Sequence, residues 1–188
     1  MKILLIGGSK SGKSHLAQEL TRALACGAPM YYWATMEPAD GEDLLRIEKH
    51  ILDRAGWGFE TVERGRLLGS APLPENAGSA SVLFDSVTAL VTNEMFNADF
   101  LQEDAEALTE AARQRSEEGL LALSRAFRNF ICVADDVFRD GRDFDETTEL
   151  WRKALAGTLI TLAAEFDTVC EVVSGIPKPI KGSLPQGF

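Results

Sequence analysis

The chain begins with Met1-Lys-Ile-Leu-Leu-Ile-Gly-Gly-Ser-Lys-Ser-Gly-Lys-Ser14, and this stretch decides its fold. The apolar run Ile3 to Ile6 predicts a buried strand that ends at Gly7-Gly8. Gly7 to Ser14 then match G-x-x-x-x-G-K-[ST], the pattern of a phosphate-binding P-loop. The pattern suits a triphosphate because the glycines let the backbone curl its N–H groups around phosphate oxygens. A nucleotide site is therefore predicted at the end of the first strand.

Each residue of this loop is a candidate ligand of the triphosphate. Lys13 brings a positive charge to the β- and γ-phosphates and is a candidate catalytic residue, while the Ser14 hydroxyl suits a Mg²⁺ ligand. Leu16, Leu20 and Leu24 repeat at helical spacing, so a helix follows and points its positive end at the anion. The predicted phosphate ligands are Gly7, Gly8, Ser9, Lys10, Ser11, Gly12, Lys13 and Ser14.

Size and charge narrow the classes of protein to which the chain can belong. Its 188 residues suit one domain of ordinary size, so we predict a single nucleotide-binding domain over residues 1–188. A formal net charge of −10 argues against a surface that coats nucleic acid. No stretch reaches the ~18 apolar residues that a membrane span needs. We therefore expect small-molecule partners, with neither nucleic acid nor a membrane span involved.

Three cysteines, Cys26, Cys132 and Cys170, lie far apart in the sequence and form no C-x-x-C pair. This spacing indicates neither a zinc site nor a disulfide framework. Each lies among apolar residues, so we expect all three to be small core residues. The N-terminus has too few apolar residues for a signal sequence, and a cytoplasmic location is expected.

Predicted strands alternate with predicted helices along the chain. After the first strand, buried or extended runs fall at residues 30–35, 56–63, 81–85, 130–134 and 167–173. This alternation favours a P-loop NTPase-like α/β fold with a mainly parallel sheet and helices on both faces. Ligands of such folds bind at the carboxyl ends of the strands. The tail, residues 174–188, is rich in Pro and Gly and is expected to be extended.

Arg46, His50 and Arg54 lie four residues apart on a predicted helix over residues 42–55, so they share one stripe. One interpretation is a solvated ionic face, since Asp43 and other charged residues are close by. The other is an anion-facing stripe centred on a neutral imidazole, because flanking positive charges favour the uncharged form of histidine. A neutral imidazole can act as a nucleophile.

Two strands end in acidic residues. Asp85 ends the run Ser81-Val-Leu-Phe-Asp85, as the Mg²⁺-facing carboxylate of a Walker B strand does, although Asp also ends strands as a turn residue. Asp135 and Asp136 follow the run Phe130 to Ala134, and could serve a metal or a substrate. We interpret this second pair as turn residues of a charged loop.

The motifs together resemble the bifunctional adenosylcobinamide kinase / adenosylcobinamide-phosphate guanylyltransferase family. The similarity is collinear over nearly the whole chain, and the R-I-x-x-H block and the V-V-S-G-I block are its most specific parts. The matching pieces are the P-loop, Tyr32–Thr35, Arg46–His50, Trp57–Glu63, Val82–Asp85, Val91–Asn93, Val172–Ile176 and Ile180–Gly182.

The resemblance implies two reactions at one nucleotide site. In the first, ATP or GTP phosphorylates the aminopropanol hydroxyl of adenosylcobinamide. In the second, GTP transfers GMP to that phosphate through a GMP–histidine intermediate. The family's nucleophile falls on His50, with Arg46 and Arg54 placed to stabilise charge on the phosphates.

The resemblance also implies ligands outside the P-loop. The positions that contact GTP in the family are Ala34, Thr35, Glu63, Asp85 and residues 51–54. Ser14 and Asp85 would hold Mg²⁺, and the family forms homotrimers.

The chain departs from the family in two later blocks and at one acid. Where the family usually has T-N-E-V-G, this chain has Ala134-Asp-Asp-Val-Phe138. Where it usually has G-R-x-N-Q, this chain has Ala156-Gly-Thr-Leu-Ile160, and Asp85 replaces a more common Glu. Two alternatives to the bifunctional enzyme therefore stay open. One is a single-activity or retargeted P-loop kinase, and the other is a nucleotide-binding protein that has lost its chemistry.

Overall fold

The fold is a seven-stranded sheet with helices packed on it, as seen in a computed structural model that describes residues 1–37, 41, 51–52, 55–96, 104–139 and 141–188. The strands are β1 (Lys2–Gly7), β2 (Met30–Ala34), β3 (Phe59–Glu63), β4 (Ser81–Asp85), β5 (Asn129–Asp135), β6 (Thr168–Val173) and β7 (Ile176–Lys181). The helices within these ranges are α1 (Lys13–Ala25), α2 (Val87–Met95), α3 (Ala105–Ala126) and α4 (Glu146–Glu165). Short 3₁₀ turns lie at Leu68–Ser70 and Ala77–Ser79.

The strand order is β3-β2-β4-β5-β1-β6-β7, and every neighbouring pair is parallel except β6 and β7. The prediction of a P-loop α/β fold with a mainly parallel sheet is therefore confirmed. The P-loop strand β1 lies between β5 and β6, so the loop at its end has a strand terminus on either side.

Successive residues of β1 point to opposite faces of the sheet, and each face is covered. Ile3 and Leu5 pack with Leu16 and Leu20 of α1 in one fully apolar cluster. Leu4 belongs to the cluster on the other face, to which α2, α3 and α4 contribute. Burial of both faces explains why β1 is a continuous apolar run rather than an alternating one. Across the described ranges, we find no helix of the length and apolarity required to span a bilayer.

The C-terminal tail contains a strand that the sequence did not reveal. Residues Ile176–Lys181 pair antiparallel with β6 and form the last strand of the sheet. Pro177 and Pro179 alternate along this strand. Proline has no N–H to donate, so it is tolerated at a sheet edge and discourages pairing with a further strand. The same prolines that indicate an extended tail can be accommodated at the edge of the sheet but not in a central strand.

The expectation that all three cysteines are core residues is wrong for Cys26. This residue ends α1 in the left-handed conformation and is exposed, whereas Cys132 and Cys170 are fully buried. Cys26 lies outside the apolar face of α1. Its apolar neighbours in the sequence do not reveal this exposure. Burial raises the pKa of the Cys132 and Cys170 thiols.

We predict that one of the three thiols reacts with a thiol reagent in the native protein at pH 8. The thiolate is the reacting species, and burial both excludes the reagent and disfavours the thiolate. Cys26 should react rapidly, and the other two only after unfolding in guanidinium. Cys26→Ser should remove the rapid phase of a DTNB assay. A second rapid thiol in the native protein would contradict the buried placement of Cys132 or Cys170.

Candidate nucleotide-binding site

The P-loop curls between the end of β1 and the start of α1. The Ser11 N–H donates to the Gly8 carbonyl oxygen at 3.2 Å, which closes the loop on itself. Gly12 has φ 89° and precedes α1, whose first residue is Lys13. The Leu16 N–H donates to the Gly12 carbonyl at 3.1 Å, so the first helical turn is formed. The strand, loop and helix that the motif needs are all present, with the N-terminal end of α1 facing the loop.

The loop needs glycine at two positions because it packs closely on the end of β6 and on the turn that follows this strand. A Cβ atom on Gly7 would lie 2.6 Å from the Val172 carbonyl oxygen and 2.7 Å from Ser11 Oγ. A Cβ on Gly12 would lie 3.0 Å from Gly175 Cα. The Gly175 N–H also donates to the Ser11 carbonyl at 2.7 Å. The V-V-S-G-I block of the sequence is therefore the support on which the phosphate loop rests.

Lys13 is nearly buried and forms an ion pair with Asp135. Its Nζ lies 2.6 Å from Asp135 Oδ1 and 3.3 Å from the Gly8 carbonyl oxygen. Asp135 ends β5 opposite Gly7 in the register, and its N–H donates to Thr88 Oγ1 at 2.8 Å. The interpretation of Asp135 as a turn residue is therefore wrong, because Asp135 is the last residue of β5 and its carboxylate pairs with the P-loop lysine. The sequence signal for this role was the position of Asp135 at the end of a buried strand. The sequence did not show that this strand lies next to β1.

Asp85 lies at the same edge of the sheet, one strand further from the P-loop. It ends β4, whose neighbours are β5 and β2. The Tyr32 hydroxyl donates to Asp85 Oδ2 at 2.6 Å, which fixes the orientation of the carboxylate. This placement is compatible with the Walker B interpretation. The metal-binding role of Asp85 stays a prediction.

Oxygen donors suitable for Mg²⁺ are present, although few. Among the described residues, no group of three or more His, Cys, Asp or Glu side chains could hold a metal ion. A P-loop Mg²⁺ does not need such a cage, since phosphate oxygens and water supply most of its ligands. The Ser14 hydroxyl and the Asp85 carboxylate are hard oxygen donors of the kind that Mg²⁺ prefers. The donor set therefore fits a nucleotide-bound Mg²⁺ better than a resident structural metal.

Ala34 and Glu63, both predicted ligands, line one cavity of about 450 Å³. The two residues are paired in the register of β2 and β3, and Asp85 is paired with Ala34 on the other side. Further lining residues are Met36, Glu37, Arg64, Gly65, Arg66 and Leu67. Glu63 is exposed at the strand end, so its carboxylate can accept hydrogen bonds from a ligand in the cavity. A purine base, with its N–H groups along one edge, is a suitable ligand of this size and polarity.

Thr35, another predicted nucleotide ligand, has a buried structural position. It is fully buried, and its hydroxyl donates to the Ser86 carbonyl at 2.9 Å and accepts from the Ser86 N–H at 2.7 Å. The Asn93 side-chain amide donates to the carbonyls of Thr35 and Gly65. Thr35 therefore ties the ends of β2 and β4 together, and its predicted contact with the nucleotide stays a prediction.

The arginine–histidine stripe lies outside the described residues. This applies to Arg46, His50 and Arg54, whose predicted roles stay predictions. The other histidine of the chain, His15, is exposed on α1. Its imidazole makes an edge contact with the Trp57 ring at 5.7 Å and lies 3.5 Å from the Glu19 carboxylate.

We predict that Gly7→Ala destabilises the protein and that Gly8→Ala does not. A Cβ at Gly7 would overlap the Val172 carbonyl, whereas a Cβ at Gly8 meets nothing within 4 Å. Overpacking of this kind costs about 2 kcal/mol. For a chain of this length, that loss lowers the melting temperature by roughly 4–8 °C. Thermal unfolding without nucleotide measures the difference, and equal melting temperatures for the two variants would contradict the close approach of loop and β6.

Comparison with known proteins identifies the family. The family model for cobinamide kinase / cobinamide phosphate guanyltransferase (CobU) matches residues 3–180. The bifunctional adenosylcobalamin biosynthesis protein CobP of Pseudomonas aeruginosa is 32% identical over 97% of this chain and 98% of its own length. The bifunctional adenosylcobalamin biosynthesis protein CobU of Escherichia coli is 31% identical over 96% of this chain and its whole length.

A similarity to solved structures is weaker. The flagellar accessory protein FlaH from Methanocaldococcus jannaschii superposes with a TM-score of 0.46 at 15% identity, over 98% of this chain and 82% of its own. This similarity has no bearing on function. The family match and the relatives, by contrast, extend over nearly the whole sequence. The chain belongs to the cobinamide kinase / cobinamide phosphate guanyltransferase family.

Proposed function

We propose that this protein is a cobalamin-biosynthesis transferase with two activities. It phosphorylates adenosylcobinamide with a nucleoside triphosphate, and it transfers GMP from GTP to adenosylcobinamide phosphate. One observation carries the proposal. The family match over residues 3–180 coincides with a formed P-loop whose lysine is buried. The substrates are accordingly a corrinoid and GTP or ATP.

The kinase step uses the P-loop as a fixed cradle. The alcohol oxygen of the acceptor attacks the γ-phosphorus and releases its proton to solvent, the bond to the bridging β–γ oxygen breaks, and the nucleoside diphosphate leaves. Lys13 neutralises charge on the β- and γ-phosphates while the loop N–H groups hold their oxygens. Ser14 and Asp85 would hold Mg²⁺, which when bound neutralises further phosphate charge.

The guanylyl step needs a different phosphorus of the same nucleotide. In the proposed step, an imidazole nitrogen of His50 attacks the α-phosphorus and pyrophosphate leaves. The phosphate of the acceptor then displaces the histidine and takes the GMP. His50 is favoured over His15, because His15 is already in contact with Trp57 and Glu19 on the outer side of α1. Arg46 and Arg54 flank His50 in the sequence, where they can stabilise the phosphate charge.

The cavity between β2, β3 and the following loop suits the base. Glu63 can accept hydrogen bonds from the adjacent N–H groups of guanine, and the strand end at Ala34 offers backbone groups. A carboxylate accepts two parallel hydrogen bonds from guanine but not from adenine, which has no adjacent pair of donors. This supports GTP as the nucleotide of the guanylyl step. The homotrimer implied by the resemblance stays a prediction that light scattering can check.

One observation favours a second candidate, a retargeted kinase without the guanylyl step. The departures from the family are concentrated in residues 134–138 and 156–160, while the P-loop is intact. A changed acceptor would leave the P-loop itself unaltered, and residues 7–14 keep its pattern. The two candidates differ in whether a nucleotide–histidine adduct forms.

We predict that GTP labelled at the α-phosphate forms an acid-labile adduct with the protein, and that His50→Gln abolishes it. A phosphoramidate is stable to alkali and hydrolysed by acid, so treatment at both extremes of pH identifies the bond. His15→Gln is the matched control and should label normally. If the protein binds GTP but forms no adduct, the proposed guanylyl activity is ruled out. Transfer of the γ-phosphate to cobinamide would then test the kinase activity by itself.

We also predict opposite effects at the two ends of the Lys13–Asp135 pair. Lys13→Ala should weaken triphosphate binding by roughly tenfold or more, because a charge-assisted contact with phosphate is lost. Asp135→Asn should strengthen GTP binding several-fold in the absence of Mg²⁺, since Lys13 no longer has to leave a carboxylate. Isothermal titration calorimetry measures both. Weaker binding by Asp135→Asn without Mg²⁺ would show that Asp135 supports the phosphates in another way.

A further inference from the structure

One wall of the cavity that we assign to the base is a continuous run of chain. The lining residues 63–67 begin with the last residue of β3 and lead into the 3₁₀ turn Leu68–Ser70. The sheet holds the start of this run, because the Arg64 N–H donates to the Ala34 carbonyl at 2.9 Å. Beyond Arg64 the run has left the sheet, so its position depends on contacts with other elements.

Leu67, at the far end of this wall, has an unfavourable backbone conformation. Its φ of 52° and ψ of 48° lie in the left-handed region, which is costly for a residue other than glycine. Its side chain is 56% exposed, so apolar burial does not hold it there. Instead, the Leu67 N–H donates to Glu94 Oε1 at 2.6 Å, and its carbonyl accepts from the Arg64 side chain at 3.2 Å. Hydrogen bonds on both sides of the residue therefore maintain the conformation.

Glu94, in the last turn of α2, is a buried carboxylate in an acidic protein. It is 2% exposed, and burial of a carboxylate costs free energy unless charged partners and hydrogen bonds compensate. Arg115 of α3 supplies the charge, since its Nε donates to Glu94 Oε2 at 2.8 Å and its Nη2 to the Glu94 carbonyl at 3.1 Å. Apolar side chains of similar volume can stabilise a fold as well as such a pair does. The bond to Leu67 therefore favours a positional role for Glu94 over a purely stabilising one.

Asn93, the residue before Glu94, holds the same wall at Gly65. Its side-chain amide donates to the Gly65 carbonyl at 3.1 Å and to the Thr35 carbonyl at 2.7 Å. The approach is so close that a Cβ atom on Gly65 would lie 2.6 Å from Asn93 Nδ2. Consecutive residues of α2 thus hold the wall on either side of Arg66.

Arg66 brings a hydrogen-bond donor to a cavity that also has acceptors. Its Nε lies 3.3 Å from Glu37 Oε1, and both residues line the cavity together with Glu63. Guanine presents the acceptor O6 beside N–H donors on one edge, so this edge needs a donor and an acceptor together. The position of Arg66 relative to the two carboxylates therefore affects how well the base is bound.

We propose that Glu94 is a positioning residue for the base of GTP. Through the Leu67 N–H it holds the wall that carries Arg66, although neither Glu94 nor Arg115 is among the residues that line the cavity. The inference rests on the proposed function, because it takes the cavity to hold guanine. Without the bond to Glu94 the left-handed Leu67 can relax, and GTP then binds at the cost of ordering the wall. The phosphate loop is supported from β5 and β6, so binding of the phosphates should not change.

Two double variants that differ in one hydrogen-bond acceptor test this role. Glu94→Ala with Arg115→Ala removes the acceptor without leaving a charge unpaired, and Glu94→Gln with Arg115→Ala restores an oxygen for the Leu67 N–H. In isothermal titration calorimetry with Mg²⁺, the first should bind GTP roughly tenfold more weakly than the wild type, and the second should recover most of the affinity. Inorganic tripolyphosphate, which has the phosphates but no base, should bind to both as to the wild type. A general loss of structure would weaken both ligands.

Two further variants serve as the control and as an independent test. Glu117→Ala is the matched control, because Glu117 is a largely buried carboxylate that pairs with Arg113 of the same helix at 2.6 Å, and it should bind GTP normally. Arg66→Ala, at a 45% exposed side chain, should weaken binding of GTP and not of tripolyphosphate. Circular dichroism melts show whether each variant is folded. If the alanine double variant does not fold, unchanged GTP affinity of Arg66→Ala would still overturn the proposal.

The outcomes separate the role of Glu94 from the proposed function. Equal GTP affinities of the two double variants would overturn the positioning role and leave the function standing. A loss of tripolyphosphate binding as large as the loss of GTP binding would also overturn it, because the effect would then not concern the base. If the wild type binds no GTP, the proposed function fails and the positioning role fails with it.

Discussion

The site depends on the position of the phosphate loop between the two strands that flank β1. On one side the Gly7 backbone lies so close to the Val172 carbonyl that a Cβ atom would overlap it. On the other side the Asp136 N–H bonds to the Gly7 carbonyl, and Asp135 is paired with Lys13. The loop is thus held on both sides by contacts that the chain itself supplies. Preorganised N–H donors stabilise phosphate charge without the cost of ordering the loop.

The phosphate edge of this acidic protein is itself rich in carboxylates. Asp85 and Asp135 end the neighbouring strands β4 and β5 there, and Glu63 ends β3, which β2 separates from β4. Carboxylates repel phosphate, and the repulsion is strong where water is partly excluded. Lys13 is paired with one of these acids in the structure. The arrangement favours a nucleotide that carries a divalent cation, which supports the proposal that the triphosphate binds with Mg²⁺.

The sequence by itself determined the strand, loop and helix around the phosphates, because their signals are local. A buried apolar run, glycines at fixed spacing and a leucine repeat need no knowledge of the rest of the chain. It did not determine the partner of Lys13, since the pairing of Asp135 with Gly7 depends on which strand lies next to β1. Nor could it reveal β7, because prolines indicate an extended segment but not the strand that it pairs with. Tertiary structure alone decided both points. Sheet order brings Gly7 beside Asp135, more than a hundred positions away, and the β6–β7 turn brings the proline-containing strand back onto β6.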